Sequence, residues 1–126
     1  MNEFIKELQE HPIQGFWYLM HPYSNLHPSS QDRVMRVVAR IHGTLAAHDV
    51  AAYSPIHHTL SCSLVNELRT DAAYWQLFNE HFMRAAVGGI LIPWPGWQLS
   101  KGVSAELLFF SSICKPVKHM NIGDVL

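Results

Sequence analysis

The sequence predicts an α/β fold in which helices cover a mainly parallel β-sheet. Two observations carry this prediction: short apolar segments alternate with amphipathic ones along the chain, and residues typical of turns separate them. Strands that are joined by helical crossovers run parallel to one another. A chain of 126 residues is near the usual size of one domain, so we treat residues 1–126 as a single domain.

Four segments have the features of short strands. They are apolar or aromatic, and Gly, Pro or Asp stands at their ends. These segments comprise residues 15–20, 49–54, 88–93 and 115–119. The sequence therefore predicts a sheet of four to five strands.

The segments between the strands have helical spacing. In residues 31–48 the apolar side chains recur at three- and four-residue steps, which gives one apolar face, and Ser29 or Ser30 is the expected N-cap. We expect further helices over about residues 71–86 and 103–113, an irregular loop over 56–63, and a helical lead-in over 4–8 that His11-Pro12 ends. This order of elements predicts a Rossmann-like (flavodoxin-like) three-layer sandwich. In such sheets ligands bind at the carboxyl ends of the strands.

Composition argues against several functions. The formal net charge is -1 at pH 7, whereas a protein that binds polymeric nucleic acid needs an excess of Lys and Arg. Cys62 and Cys114 lie far apart, which favours a reducing compartment over a disulfide scaffold. No apolar run approaches the ~20 residues that cross a bilayer, and the first residues lack the apolar core of a secretion signal. We expect a cytoplasmic protein with a small-molecule ligand and no membrane partner.

Residues 95–106 carry the clearest chemical signal. Ser100 and Gly102 lie where a predicted strand passes into a helix, and Glu106 follows about one turn later. Exposed N–H groups at the start of a helix, together with a serine hydroxyl, favour an anion, and a glycine lets it approach closely. The alternative interpretation is an ordinary capping serine and a surface glutamate, which is the commoner case for so short a pattern.

Four segments, in order, resemble the nucleoside 2-deoxyribosyltransferase-like family, including its nucleotide N-glycosidase branch. Residues 18–24 are similar to the family pattern Y-L-A-x-P-Y-S, and residues 53–58 to S-P-I-x-H. Residues 95–106 are similar to P-G-W-x-x-S-x-G-x-x-x-E, and Lys115-Pro116-Val117 to the strand that follows it. The resemblance covers about residues 15–119.

The resemblance implies roles for three residues. Glu106 matches the glutamate that attacks or stabilises the anomeric carbon, which gains positive charge as an N-glycosidic bond breaks. Tyr18 matches a strand tyrosine that positions this carboxylate, and its alternative role is that of a core aromatic residue. Ser100 stands where deoxyribosyltransferases tend to carry Asp and where the hydrolase branch has Ser for a 5′-phosphate. This implies a nucleoside monophosphate, because Ser donates to phosphate whereas Asp repels it.

The chain departs from the family pattern near the third predicted strand. The family usually has an acidic residue on the preceding helix that helps to protonate or orient the base. Glu80 is the candidate here, although a solvated helix face explains it equally well. The family commonly has Asp at the start of the third strand, where this chain has Gly88-Gly89. This departure bears directly on base recognition.

Other residues have two interpretations each. His58 either lines the pocket or fixes its loop, Trp97 either stacks on a base or packs its loop, and Ser24 either joins the phosphate site or forms a turn. Nine histidines suggest metal, but adjacent His57 and His58 do not easily bind one ion and no metal-binding spacing occurs. We therefore expect neither a metal nor an organic cofactor.

These observations predict a hydrolase that cleaves the N-glycosidic bond of a nucleotide or deoxynucleotide. A second base in place of water as acceptor makes the protein a deoxyribosyltransferase. The rival interpretation is a non-catalytic nucleotide-binding module that has lost base chemistry at Gly88-Gly89. The family resemblance also implies a homodimer or a larger homo-oligomer. The nucleobase and the choice between ribose and deoxyribose stay open.

Overall fold

The computed structural model describes residues 3–10, 15–63 and 72–125. The strands are β1 (Trp17–Met20), β2 (Ala52–Tyr53), β3 (Gly88–Leu91) and β4 (Val117–His119). The helices are α1 (Glu3–Glu10), α2 (Pro28–Ala47), α3 (Pro55–Ser63), α4 (Ala72–Ala85) and α5 (Lys101–Ser112), with short 3-10 helices at Trp97–Leu99 and Ile122–Asp124. The expected end of the lead-in at His11-Pro12 lies outside the described residues.

The four described strands form one parallel sheet in the order β2-β1-β3-β4. The register pairs Tyr18 of β1 with Tyr53 on one side and with Gly89 on the other. The predicted α/β, Rossmann-like three-layer class is confirmed. The order is that of the first four strands of flavodoxin-like sheets, in which the chain changes direction between β1 and β3.

Alternation along β1 builds one apolar core on each face of the sheet. Trp17 and Leu19 belong to the core under α2, whereas Tyr18 and Met20 belong to the core under α4 and α5. The first core also contains the buried row of α2, namely Val34, Val38, Ile41 and Leu45. Strands buried on both faces read as continuous apolar runs, which is why residues 15–20 indicate a strand without alternation.

Both ends of α2 differ from expectation. Ser29 and Ser30 lie inside the helix, and the N-cap is His27, whose Nδ1 accepts from the Ser29 N–H at 3.2 Å. Pro28 is the first helical residue, where its missing N–H costs nothing. At the other end Asp49 has a φ of 62° and Val50 donates to the Leu45 carbonyl. These residues close α2, so the strand predicted from residue 49 begins only at Ala52.

The prediction of a loop over residues 56–63 is wrong, because α3 occupies Pro55–Ser63. Ser54 stands before the helix, and its Oγ is within 3.5 Å of the His57 N–H and 2.7 Å of His57 Nδ1. Serine followed by proline is a typical helix start. Because the segment contains two histidines and few apolar residues, its sequence shows no apolar helical face.

Gly88 and Gly89 are explained by close approach rather than by backbone strain. A Cβ on Gly88 would lie 2.3 Å from the Pro116 carbonyl oxygen. A Cβ on Gly89 would lie 2.6 Å from Met20 Cε and 2.8 Å from Phe110 Cε2. The Pro116 backbone excludes a side chain at Gly88, and one at Gly89 would require Met20 and the Phe110 ring to shift, so the Asp that the resemblance implies does not fit at the start of β3. In the described part of the chain, no helix is long and apolar enough to cross a membrane.

Candidate active site

A cavity of about 560 Å³ opens at the carboxyl ends of β1 and β3. The loop after β1, the start of α5 and the facing sides of α3 and α4 line it. Its volume is in the range of small-molecule sites. It also lies where the strand order reverses, which is the usual ligand position in open parallel sheets.

A carboxyl–tyrosine pair joins the cavity to the sheet. Glu106, in the second turn of α5, lines the cavity, and the Tyr18 hydroxyl donates to its Oε2 at 2.5 Å. Tyr18 is fully buried on β1, and its ring packs edge-on against Phe110 with centroids 5.7 Å apart. Because β1 and the Phe110 ring hold the tyrosine, it fixes one carboxylate oxygen and leaves the other for a ligand.

Burial changes the protonation of both members of the pair. Loss of solvent raises the pKa of Glu106 to about 7, and the hydrogen bond from Tyr18 offsets part of this increase. Burial first, and then the charge of Glu106, raise the pKa of Tyr18 well above its ordinary value. Tyr18 therefore stays protonated as a donor, while Glu106 exists in both forms near neutral pH.

The first turn of α5 forms a polar end of the cavity. Ser100 is its N-cap: Ser100 Oγ accepts from the Val103 N–H at 3.2 Å, and the Ser100 carbonyl accepts from the Ser104 N–H. The N–H groups of Lys101 and Gly102 have no acceptor within the helix. The Ser100 hydroxyl can accept from Val103 and still donate to a ligand. The predicted capping role and the predicted anion role are therefore compatible.

The same end has room and positive charge. A Cβ on Gly102 would have only Ser100 Oγ within 4 Å, at 3.8 Å, so the space beside it is open. Ser24 and Lys101 are exposed and line the cavity. Asn25 Nδ2 donates to the Gly96 carbonyl at 3.0 Å, and Gly96 has a φ of 99°. This bond ties the loop after β1 to the loop after β3.

One face of α4 forms the opposite wall. Residues three and four apart along the helix line the cavity: Trp75, Gln76, Asn79, Glu80 and Met83. The Oδ1 atom of Asn79 is buried and has no hydrogen-bond partner among the described residues. Pro55, Ile56 and Leu60 of α3 and Phe109 of α5 add apolar surface. The helix end of the cavity is mostly apolar.

His21 is a buried neutral base beside the cavity. Its Nδ1 lies 2.9 Å from the Pro22 carbonyl, and since a carbonyl only accepts, Nδ1 carries the proton. Burial lowers the pKa of His21 to about 4, against the opposing effect of this hydrogen bond. Its Nε2 is buried with no partner among the described residues.

The structure brings most of the predicted site residues together. Ser24, Glu80, Ser100, Gly102 and Glu106 line the cavity, and Tyr18 reaches it through Glu106.

His58 and Trp97 do not line the cavity. His58 is exposed on α3, with its ring stacked on Phe78 at 5.6 Å. Trp97 packs against the core under α4 and α5, and its ring meets the His119 ring edge-on with the centroids 6.2 Å apart. Of their two interpretations, the structure favours a packing role for each.

Sequence reasoning missed Lys101 and Asn79. Lys101 stands inside the 95–106 motif, next to Ser100, and its signal was available. Asn79 follows Trp75 by one helical turn and precedes Met83 by another, so its place in an apolar row was a signal as well. In the described part of the chain no three His, Cys, Asp or Glu residues are grouped closely enough to hold a metal ion.

Fold and site together define an α/β protein of the Rossmann-like class with a half-buried carboxyl group near the point where the strand order reverses. Residues 15–122 match the model of a protein family described as a domain of unknown function, DUF1937. The chain belongs to this family. No curated protein matches the chain.

Proposed function

We propose that the protein hydrolyses the N-glycosidic bond of a nucleoside or deoxynucleoside 5′-monophosphate, with Glu106 as the reacting carboxylate. The observation that carries the proposal is the hydrogen bond of 2.5 Å from Tyr18 to Glu106 in the wall of a ligand-sized cavity. The resemblance of residues 95–106 to the nucleotide N-glycosidase branch supports the same assignment.

The reaction follows from the charge that Glu106 faces. As the bond between C1′ and the base nitrogen breaks, C1′ becomes positive and the base leaves with the electron pair and takes up a proton. A Glu106 oxygen forms an ester bond with C1′ or stabilises its charge. Water then attacks C1′: its hydroxyl forms the new C–O bond, its proton replaces the one that the base took, and Glu106 is released as the carboxylate. The products are a free base and a sugar 5-phosphate.

The ionisation of the pair suits this chemistry. A nucleophile must be the carboxylate, and with a pKa of about 7 Glu106 supplies a large fraction of that form at neutral pH. Tyr18 stays a donor and holds one oxygen, so the other oxygen is free to meet C1′. Glu80, which lines the cavity, is the candidate that protonates or orients the leaving base.

The polar end at the start of α5 supports a 5′-phosphate as the second anchor. The free N–H groups of Lys101 and Gly102, the Ser100 hydroxyl and the Lys101 ammonium are all donors. Each charge-assisted hydrogen bond to phosphate contributes about 1.5–3 kcal/mol. A non-catalytic binder gains little from a half-buried carboxylate beside an anionic ligand, so Glu106 favours an enzyme.

Incubation with a panel of nucleoside monophosphates and the matching nucleosides tests the proposal, with released base measured by chromatography. We expect release by the wild type and a loss of at least about a thousandfold in Glu106→Gln, which keeps the shape of the side chain and removes its charge. Glu3→Gln is the matched control, since Glu3 is exposed on α1 and away from the cavity.

The other outcomes separate the alternatives. Activity of Glu106→Gln within about threefold of wild type removes Glu106 from the mechanism. Release that requires a second free base indicates a transferase, and binding without release indicates a nucleotide-binding module.

A homo-oligomer remains part of the proposal. A second copy can cover the exposed side chains of Leu77 and Leu108, and the molar mass in solution tests this.

A further inference from the structure

The α3 helix forms part of the cavity wall, although little buried apolar surface holds it. Its residues Pro55, Ile56, Thr59 and Leu60 line the cavity. Of the nine residues of α3, all within the described part of the chain, only Pro55 is buried. Most helices of folded proteins are held in place by a packed apolar face. The position of α3 therefore depends on polar contacts to a greater extent than that of α2, which buries a row of four apolar residues.

His57 connects α3 to its surroundings through both nitrogens of its ring. Its Nε2 lies 3.1 Å from the Met35 carbonyl of α2, and its Nδ1 lies 2.7 Å from Oγ of Ser54, the residue between β2 and α3. Since a carbonyl only accepts, Nε2 carries the proton and donates to Met35, while Nδ1 accepts from the Ser54 hydroxyl. Partners at both nitrogens fix the orientation of the ring. The two bonds form a bridge from the end of β2 through α3 to α2.

The surroundings of His57 favour the neutral ring that this bridge requires. Burial lowers the pKa of His57 below its ordinary value, the hydrogen bond to Met35 opposes this effect, and the nearby His42 of α2 lowers the pKa further. A neutral imidazole has one donor and one acceptor. The Met35 carbonyl and the hydroxyl of Ser54, which is buried, match these two groups.

The adjacent histidine contacts its neighbour in a different way. His58 is exposed, and its ring stacks on Phe78 of α4 with the centroids 5.6 Å apart. Stacked rings can slide past each other at little cost, whereas hydrogen bonds need a narrow range of distances and angles. The bonds that fix the position of α3 along and across α2 therefore come from His57.

We propose that His57 is a positioning residue that holds the α3 wall of the cavity where a nucleotide can bind against it. His57 itself lies in a surface groove between α2 and α3 and does not line the cavity. It acts through Pro55 and Ile56, which directly precede it and line the cavity. The effect falls on binding rather than on the chemical step, because Glu106 lies on α5. This proposal rests on the proposed function, since it takes the ligand to be a nucleotide.

Steady-state kinetics on the preferred nucleoside monophosphate tests the positioning. His57→Leu keeps a similar volume and removes both hydrogen bonds, so KM should rise about fivefold or more while kcat stays within about twofold of wild type. His57→Gln should bring KM back to within about twofold of wild type, because its amide keeps a donor at about the reach of Nε2. His58→Leu is the matched control on the same helix and should leave both constants within about twofold.

Thermal unfolding checks that each variant is folded. If His57→Leu does not fold, His57→Asn takes its place, because Asn keeps an acceptor for Ser54 and is too short to reach Met35. A KM within about twofold of wild type in this variant overturns the proposal, and so does a loss that lies mainly in kcat. The same KM in the Gln variant as in the Leu or Asn variant shows that the bond to Met35 has no such role.

Two measurements without turnover separate this proposal from the proposed function. Equilibrium dialysis gives the dissociation constants of dAMP, dGMP, dCMP and dTMP, and mass spectrometry gives the amide hydrogen exchange of α3. If no base is released, but His57→Leu weakens nucleotide binding and speeds exchange in α3 whereas His57→Gln does neither, hydrolysis fails and the positioning stands. If base is released with an unchanged KM in His57→Leu, the positioning fails and hydrolysis stands. If nothing binds or reacts, both fail.

Discussion

The two ends of the cavity are built differently. At the loop end, formed by the loops after β1 and β3 and the start of α5, Ser100 caps α5 and Asn25 donates to the Gly96 carbonyl, while His21 Nε2 has no partner among the described residues. At the helix end Asn79 Oδ1 has no partner among the described residues. Hydrogen bonds within the protein therefore hold the loop end in place, whereas side chains of α3, α4 and α5, most of them apolar, form the helix end. Under the proposed function, the loop end holds the phosphate and the helix end contacts the less polar part of the nucleotide.

Of the three variants considered next, Ser100→Asp should have the largest effect on kcat/KM. The carboxylate repels a 5′-phosphate, so kcat/KM for a nucleoside monophosphate should fall about ten- to a hundredfold more than that for the free nucleoside. Asp also caps helices well, so thermal stability should change little. Steady-state kinetics on both substrates measures the difference. Equal losses would show that the loop end does not hold phosphate.

Tyr18→Phe should move the pH profile of base release. The hydrogen bond from Tyr18 lowers the pKa of Glu106 from the value that burial alone would give, so its loss raises that pKa above about 7. Less carboxylate is then present at pH 7, and we expect activity that is several-fold lower there and recovers toward pH 9. Tyr53→Phe is the control, since the Tyr53 hydroxyl is buried near Tyr18 and makes no hydrogen bond with Glu106. A profile that stays in place excludes a positioning role for Tyr18.

His58→Ala should have the smallest effect. The ring is exposed, stacks on Phe78 and does not line the cavity, so the loss of its contact should leave kcat/KM within about twofold of wild type. Kinetics on the preferred monophosphate is the measurement. A loss of tenfold or more would extend the helix end of the cavity to this side of α3.

The parts of the fold that depend on chain-local patterns were predictable. All four strands lie within their predicted segments, because buried parallel strands are short apolar runs bounded by turn residues. The helix at residues 55–63 was missed, since its signal was a Ser-Pro start rather than an apolar face. The late start of β2 was missed because Asp49 and Val50 close α2. This closure requires Asp49 to adopt a left-handed conformation, which the sequence pattern does not predict.

The residues of the candidate site likewise fall into those that local sequence patterns predict and those that depend on the packing of distant segments. Ser100, Gly102 and Glu106 stand close together in one motif, so their common position could be inferred from spacing. The apolar wall comes from three helices, and only their packing shows that Asn79 and Glu106 line the same cavity. The sequence left His58 and Trp97 with two interpretations each, and in the structure neither lines the cavity and each ring packs against a neighbouring ring.

The raised pKa of Glu106 also ties the stability of the fold to pH. Between pH 4.5, the ordinary pKa of the group, and about pH 7, the native protein keeps a proton that the unfolded chain has released. The contribution of this group to the free energy of unfolding is therefore fully present below about pH 4.5. As the pH rises through 7, the free energy of unfolding falls by up to about 3 kcal/mol. The protein thus gives up stability over the same pH range in which it gains its reactive carboxylate.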